Sequence, residues 1–157
     1  MAFINCVLYA LGIGIFSFLL GRILPKSCFF PNRFPFKSWY WEKNGTIYNE
    51  LFQIKRWQAK VPDMSKIFPG LMPRKKVTAN FQASLPLMIQ ETCVAELTHV
   101  ILCLLALPCL WIWPAWGGVI FSVLYILGNI PFIMIQRYNR PRLMRIEKKQ
   151  TKIRKDA

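Results

Sequence analysis

The stretch LTHVILCLLALPCLWIWPAWGGVIFSVLYILGNIPFIMIQ, residues 97–136, decides the fold. These 40 residues contain no Asp, Glu, Lys or Arg. A helix needs about 20 residues to cross the hydrocarbon of a bilayer, so the stretch is long enough to cross twice if the intervening turn is tight. Pro108, Pro114 and the pair Gly117 and Gly118 lie near its middle and favour a turn there. The stretch therefore predicts a membrane hairpin whose polar ends return to one surface.

The basic residues of the chain lie outside this hairpin. Of the 157 residues 54% are hydrophobic, and the formal net charge is +14. The basic residues begin at Arg22 and otherwise fall between Lys26 and Lys76 or between Arg137 and Lys155. Because cytoplasmic segments of membrane proteins are enriched in Lys and Arg, both basic segments are predicted to be cytoplasmic and the N-terminus to be outside. Nucleic acid is the other partner that such a charge favours, and the flanking apolar spans argue against it.

These patterns predict an all-α, multi-pass protein of the cell membrane, built as a single integral membrane domain with about three transmembrane helices. Residues 3–24 form an N-terminal anchor, which we interpret as retained because it lacks the basic start and cleavage site of a signal peptide; a cleaved signal is the alternative. The hairpin supplies the other two crossings, at 97–113 and 119–136. Residues 25–93 form a cytoplasmic and interfacial segment. Residues 137–157 form a basic cytoplasmic tail, for which a basic helix and a disordered arm are the two alternatives.

The segment between the anchor and the hairpin is expected to lie at the membrane surface. Aromatic and basic side chains are interleaved through residues 25–41, where three prolines prevent a regular helix. We interpret this part as an irregular belt at headgroup level, with an aromatic-basic groove for nucleic acid as the alternative. From Thr46 to Val61 apolar residues recur at helical spacing, which predicts an interfacial amphipathic helix. A loop with the basic patch Arg74 to Lys76 follows.

The polar residues of the hairpin form one stripe on each helix. At 100° per residue, four polar positions of the first helix fall within about 60° of one another: Thr92, Glu96, His99 and Cys103. The second helix has an equivalent stripe of Ser122, Tyr125, Asn129 and Gln136. In an antiparallel hairpin that turns near Ala115, the two stripes are expected to meet near the cytoplasmic surface.

Glu96 and His99 are the residues that best fit catalysis. An ionisable side chain at the inner edge of a bilayer is costly to bury and marks a functional site when it faces a bundle interior. His99 is the only histidine, and Glu96 lies three residues earlier, close enough to orient its ring. The pair fits a general base that removes a proton from a hydroxyl. A structural Glu–His pair between helices is the alternative.

Three arginines follow the hairpin and favour binding of an anion. Arg137, Arg140 and Arg142 offer forked donors to a phosphate or carboxylate, although a positive-inside anchor explains them equally well. The five cysteines lack the spacing of a metal site and are interpreted as buried or reduced thiols. The sequence also lacks a Gly-rich phosphate loop and a nucleophile elbow. We therefore predict no metal site and no bound cofactor.

Three groups of residues carry a resemblance to a known family. The first is Glu91-Thr92-x-x-Ala95-Glu96-Leu97-x-His99. The second is Asn129-x-Pro131 with Gln136-Arg137-Tyr138-Asn139-Arg140-Pro141-Arg142-Leu143. The third is Glu42-Lys43-x-Gly45 with Asn49, Phe52, Trp57, Lys60 and Asp63. Over about residues 36–145 the chain resembles the glycosyl-4,4'-diaponeurosporenoate acyltransferase family of staphylococcal carotenoid synthesis.

The resemblance implies a membrane O-acyltransferase that esterifies the sugar hydroxyl of a carotenoid glycoside or related glycolipid. Our hypothesis is that His99, oriented by Glu96, deprotonates this hydroxyl, which then attacks an acyl thioester such as acyl-CoA. Gln136 or Asn129 would stabilise the oxyanion, and the three arginines would hold the phosphates of the donor. Further substrate contacts are expected at Glu91, Asn139, Asn49 and Trp57.

The expected partners are membrane lipids, a long-chain acyl donor and a glycosylated carotenoid or lipid acceptor, without nucleic acid. A non-catalytic anchor or scaffold of a lipid-modifying complex is the alternative function. A lipid methyltransferase is a third possibility, but the sequence has no motif for a nucleoside cofactor.

Overall fold

The structure is a computed structural model that describes residues 1–61 and 81–156. Every regular element within these two ranges is helical. The α-helices are α1 (Ala2–Ile23), α2 (Thr46–Phe52), α3 (Ile54–Trp57), α4 (Phe81–Leu104), α5 (Cys109–Ile112) and α6 (Trp116–Asp156). Short 3-10 helices cover Lys26–Cys28, Tyr40–Gly45 and Gln58–Lys60. Asp63 and the basic patch Arg74 to Lys76 lie outside the described residues.

Three helical stretches are long and apolar enough to cross a membrane: Ala2–Ile23, Ser84–Ile112 and Trp116–Asp156. Large apolar side chains cover their outer surfaces, and Leu8 and Ile15 of α1 are both more than 60% exposed. Such exposure is unfavourable in water but costs nothing against lipid tails, which are as apolar as leucine. The predicted all-α membrane fold, with an N-terminal anchor and a C-terminal hairpin, is confirmed.

The helices of the hairpin extend outside the predicted crossings on the side of the basic segments. Helix α4 covers Phe81–Leu104 of the described residues and includes Pro86. The short helix α5 follows Pro108. Helix α6 passes through Gln136 and continues to Asp156, so the tail is helical rather than a disordered arm. The basic tail is therefore the second half of this helix, as expected for a segment rich in the helix-favouring residues Arg, Lys and Glu.

The turn of the hairpin is a tight corner between α5 and α6. Ala115 adopts a positive φ of 65°, and the Gly118 N–H donates to the carbonyl of Trp113 at 2.9 Å. A Cβ on Gly118 would lie 2.3 Å from the same carbonyl, and a Cβ on Gly117 would lie 2.0 Å from the Trp113 ring. Both contacts are far below van der Waals distance. The corner therefore needs glycine at both positions.

The chain divides into two compact units, which are described separately below. The first unit contains Met1–Phe29 and Cys93–Gln136, and the second contains Phe30–Thr92 and Arg137–Ala157. The first is the packed part of the three spans. The second contains the aromatic-basic belt from Phe30 onward, α2, α3, α4 as far as Thr92 and the second half of α6.

Helix α1 packs against α5 near its N-terminus and against α4 near its C-terminus. The rings of Phe3 and Trp113 lie 5.8 Å apart in an edge-to-face arrangement, and the Cys6 Sγ lies 3.9 Å from the carbonyl oxygen of Cys109. At the other end a Cβ on Gly21 would lie 3.2 Å from Val94 and from Thr98. Gly21 thus permits the close helix approach that small residues provide in lipid.

The predicted amphipathic stretch from Thr46 to Val61 is helical but is broken after α2. Gln53 adopts a positive φ of 49°, and the Asn49 side-chain oxygen accepts a hydrogen bond from the Lys55 N–H at 3.2 Å beyond the break. Tyr48 and Ile54 are buried, whereas Leu51 is 67% exposed. The break rotates α3 relative to α2, so the apolar residues do not form the single face that periodicity predicts.

Candidate active site

The first unit places His99 between two residues of α6. Its Nδ1 atom lies 2.8 Å from the Asn129 Oδ1 atom. Its ring stacks on Phe132 with the ring centroids 4.5 Å apart and the planes inclined by 11°. We call His99, Asn129 and Phe132 the histidine cluster. These contacts fix both the position and the plane of the imidazole.

The hydrogen bonds of the histidine cluster determine which ring nitrogen is free to act as a base. The Asn129 amide nitrogen donates to the Tyr125 carbonyl at 2.8 Å, which directs the Asn129 carbonyl oxygen toward His99. That oxygen can only accept, so the neutral imidazole carries its proton on Nδ1. The lone pair is therefore on Nε2. A neutral histidine whose other nitrogen is held by an acceptor is suited to general base catalysis.

Glu96 and Gln136 are the other predicted residues of the first unit. Glu96 is 4% exposed and lies one helical turn before His99 on α4. Gln136 is 8% exposed and follows Asn129 by seven residues, which returns it to the same face of α6 about 10 Å further along the axis. Both are polar groups within a membrane span, where burial of such groups is costly.

The second unit is built around a buried carboxylate, Glu42, which is 1% exposed. Its Oε1 atom binds Nη1 of Arg137 at 2.6 Å and also accepts the hydroxyl of Tyr48. Its Oε2 atom accepts the backbone N–H of Trp39 at 2.6 Å. A buried carboxylate is tolerated when it has a cation and several donors around it. We call Glu42, Arg137, Tyr48 and Trp39 the glutamate cluster.

Arg140 fills a second buried position of this unit, with 2% of its surface exposed. Its Nε donates to the Thr92 hydroxyl at 2.9 Å, and its Nη2 donates to the Thr92 carbonyl at 3.1 Å. Its Nη1 donates to the Phe36 carbonyl at 2.6 Å. The guanidinium thereby joins α6 to α4 and to the belt. In the same way Arg137 donates to the carbonyl of Pro35 at 2.7 Å.

The remaining predicted binding residues lie at several places in the second unit. Arg142 is exposed, and its Nη1 donates to the Tyr138 hydroxyl at 2.7 Å. The Asn139 amide donates to the Gln58 side chain at 3.2 Å. Asn49 bridges the break after α2, as described above. The Trp57 indole donates to the Phe52 carbonyl at 2.7 Å, and Glu91 is half-buried on α4.

Glu42 and Thr92 were not among the predicted site residues. Both residues occur in the family motifs, but the sequence predicts no binding or catalytic role for either of them. A signal was present for Glu42, since it is the first carboxylate in the chain and follows a belt of aromatic and basic residues. A carboxylate in such surroundings requires a cationic partner. The motif from Gln136 to Leu143 contains three arginines that are candidates for this partner.

The described residues contain no group of three or more His, Cys, Asp or Glu side chains that could hold a metal ion.

Comparison with known proteins agrees with the motifs. A family model described as glycosyl-4,4'-diaponeurosporenoate acyltransferase matches residues 31–149. The protein of that name from Staphylococcus haemolyticus (strain JCSC1435) is 32% identical over 121 residues, which cover 76% of this chain and 69% of the relative. The one from Staphylococcus aureus (strain MRSA252) is 31% identical over 144 residues, covering 90% of this chain and 85% of the relative.

No solved structure matches the chain significantly, so the comparison rests on sequence. The matched region contains Glu42, the whole of α4 and most of α6, and with them both clusters. The predicted resemblance is confirmed: this chain belongs to the glycosyl-4,4'-diaponeurosporenoate acyltransferase family.

Proposed function

We propose that this protein is a membrane O-acyltransferase that transfers a fatty acyl group from a thioester to the sugar hydroxyl of a glycosylated carotenoid. The reaction class and the acceptor follow from the family, whose members are named for a glycosyl carotenoid. The single observation that supports catalysis by this chain is the histidine cluster. It holds an imidazole with a free Nε2 inside a membrane span, which is where a lipid-soluble acceptor can reach it.

The proposed reaction proceeds by general base catalysis. Nε2 of His99 takes the proton of the sugar hydroxyl as the oxygen attacks the thioester carbonyl. Gln136 or the amide nitrogen of Asn129 donates to the oxyanion that forms on the carbonyl oxygen. The carbon–sulfur bond then breaks, and the leaving thiolate takes the proton from Nε2. The products are the carotenoid ester and a free thiol, and the imidazole returns to its neutral state.

Glu96 and the histidine cluster have different roles in this proposal. Asn129 fixes the tautomer of His99 through Nδ1, and the stacked Phe132 ring fixes its plane. Glu96, buried one turn earlier on α4, is the carboxyl group that we propose further orients the imidazole and stabilises the imidazolium formed during the attack. Asn129 thus positions His99 in addition to being one of the two candidate oxyanion donors, and His99 is the general base.

The arginines of the second unit have separate proposed roles. Arg137 and Arg140 hold the belt and α4 through carbonyl and carboxylate acceptors. Arg142 is exposed and is the guanidinium we assign to the phosphates of an acyl-CoA donor. Glu91, Asn139, Asn49 and Trp57 remain proposed contacts to the polar parts of the two substrates. The excess of Lys and Arg in both basic segments supports a cytoplasmic location for this proposed donor site.

The test is acyl transfer by the purified protein in detergent, with palmitoyl-CoA and a glycosylated carotenoid as substrates. Replacing His99 with Ala should lower kcat by about 10²- to 10⁴-fold, the usual contribution of a general base. Cys103→Ala, one turn further along the same helix, is the matched control and should keep wild-type activity. An unchanged rate in a folded His99→Ala protein would show that His99 is not the base.

The scaffold alternative makes a different prediction in the same assay. If the purified wild-type protein forms no ester, and ester appears only when other membrane proteins are added, the chain is a non-catalytic component. Lipid extracts of cells with and without the protein then identify the lipid whose ester is lost.

A further inference from the structure

An open apolar groove runs along the first unit between α1 and α6. Its volume is about 390 Å³, which is within the range of about 300–1,000 Å³ found for small-molecule sites. Ala10, Gly14 and Ile15 line it from α1, and Phe121 and Tyr125 line it from α6. None of the lining residues is Asp, Glu, Lys or Arg. The groove is therefore suited to a hydrocarbon chain.

Gly14 keeps this groove open. A Cβ at Gly14 would meet no atom within 4 Å, whereas a Cβ at Gly21 of the same helix would touch α4 at 3.2 Å. The glycine at 21 is needed for helix packing, but packing does not explain the glycine at 14. A larger side chain at position 14 would extend into the groove.

On α6 the groove adjoins the histidine cluster. Tyr125 lines the groove, and its carbonyl oxygen accepts the amide of Asn129 at 2.8 Å. Asn129 in turn holds His99 at 2.8 Å. Tyr125 and Asn129 are one helical turn, or about 6 Å, apart along α6. A chain lying in the groove can thus place the group at its end close to the imidazole.

We infer that this groove binds the acyl chain of the thioester donor, an inference that rests on the proposed acyltransferase function. From Val7 to Ile15 the groove follows α1 for about 12 Å. The lining is apolar along this length, which fits a saturated hydrocarbon chain. A chain seated here has its carbonyl end at the Tyr125 side, where the base is, and its methyl end toward the start of α1. The groove then sets the preferred chain length.

The experiment compares Gly14→Leu with Gly12→Leu. Gly12 is the matched control because a Cβ there also meets no atom within 4 Å, yet Gly12 does not line the groove. Initial rates are measured in detergent with palmitoyl-CoA and with acetyl-CoA, whose acyl group is too short to lie in the groove, at saturating acceptor. Gly14→Leu should lower the ratio of the palmitoyl rate to the acetyl rate by about tenfold or more, as expected when methylene groups lose their pocket. Gly12→Leu should leave that ratio unchanged.

A folded and active Gly14→Leu protein with the wild-type rate ratio would overturn the inference. So would equal loss of both rates, or a rise in the KM of the acceptor alone, since the latter would place the acceptor in the groove. If Gly14→Leu does not fold, Ala10→Leu fills the same groove and is judged by the same ratio.

A binding measurement separates this inference from the proposed function. Palmitoyl-CoA with a photoreactive group near its methyl end should label α1 of the wild-type protein and of Gly12→Leu, and should fail to label Gly14→Leu. If the wild-type protein makes no ester but shows this pattern, the acyl-chain site stands and the catalytic proposal fails. Equal labelling of all three proteins would reject the site.

Discussion

Replacing Arg137 with Met should destabilise the second unit strongly because it leaves Glu42 buried without its cation. The pair is 2.6 Å apart, and the two side chains are 12% and 1% exposed. Removing one partner of a buried ion pair costs about 3–5 kcal/mol. The Trp39 N–H and the Tyr48 hydroxyl still donate to Glu42 in the variant, so we expect a loss near the lower end, about 3 kcal/mol.

A double-mutant cycle tests the physical reason. Glu42→Gln combined with Arg137→Met removes both charges. The double variant should therefore lose less unfolding free energy than the sum of the losses in the two single variants. We expect a coupling of roughly 1.5–3 kcal/mol between the two positions. The measurement is equilibrium unfolding in mild detergent, followed by tryptophan fluorescence, since Trp39 and Trp41 belong to the same unit. Arg145→Met is the matched control on the same helix, where the side chain is exposed and the change should stay within about 0.5 kcal/mol.

Equal losses of stability in Arg137→Met and Arg145→Met, or additive losses at positions 42 and 137, would contradict a stabilising Glu42–Arg137 ion pair. Either result would mean that Glu42 is stabilised by its neutral donors alone and that Arg137 adds no pairing energy.

Two further predictions concern helix contacts. Thr92→Val should lower the free energy of unfolding by about 1–3 kcal/mol in the same assay, because the buried guanidinium of Arg140 loses a hydroxyl acceptor at 2.9 Å. Thr92→Ser keeps the hydroxyl and should retain most of the wild-type stability. Gly21→Leu should cost about 1–3 kcal/mol through overpacking against α4, whereas Gly128→Leu, where a Cβ meets nothing within 4 Å, should be tolerated. Equal stability of the two leucine variants would show that Gly21 does not set the spacing of α1 and α4.

The membrane fold was predictable because its signals are local and large. An uncharged run of 40 residues with glycine and proline at its centre leaves few alternatives to a hairpin. Helix ends were harder, since both Pro86 and Gln136 look like boundaries by composition. Pro86 remains inside α4, and α6 passes through Gln136 because the residues that follow favour a helix as strongly as those before it.

The interfacial stretch shows the limit of periodicity. Apolar spacing predicted one helix from Thr46 to Val61, but Gln53 has a left-handed backbone conformation and divides it. The Asn49 side-chain oxygen accepts the Lys55 N–H across the break, and the Trp57 indole donates to the Phe52 carbonyl beside it. Both hydrogen bonds stabilise this arrangement. Such local competition between side chain and helix is not visible in a count of hydrophobic residues.

The polar stripes of the hairpin were predictable from helical phase, and the structure brings His99 and Asn129 together as the antiparallel alignment implies. The partners of the arginines were not predictable. Arg137 binds Glu42, which is 95 positions away in the sequence, and Arg140 binds Thr92 at a separation of 48. A charge in a sequence does not reveal whether its partner is a ligand or a distant residue of the same chain.

The glycine corner after Trp113 also constrains how the length of the chain can vary. His99 lies before this corner on α4, and Asn129 lies after it on α6. Each residue inserted between the corner and either side chain would rotate that helix's polar stripe by about 100° and shift it by about 1.5 Å. A single insertion between 99 and the corner, or between the corner and 129, would part the imidazole from its amide. Insertions and deletions among relatives are thus expected before residue 93 or after residue 136, while the two arms of the hairpin keep a constant length.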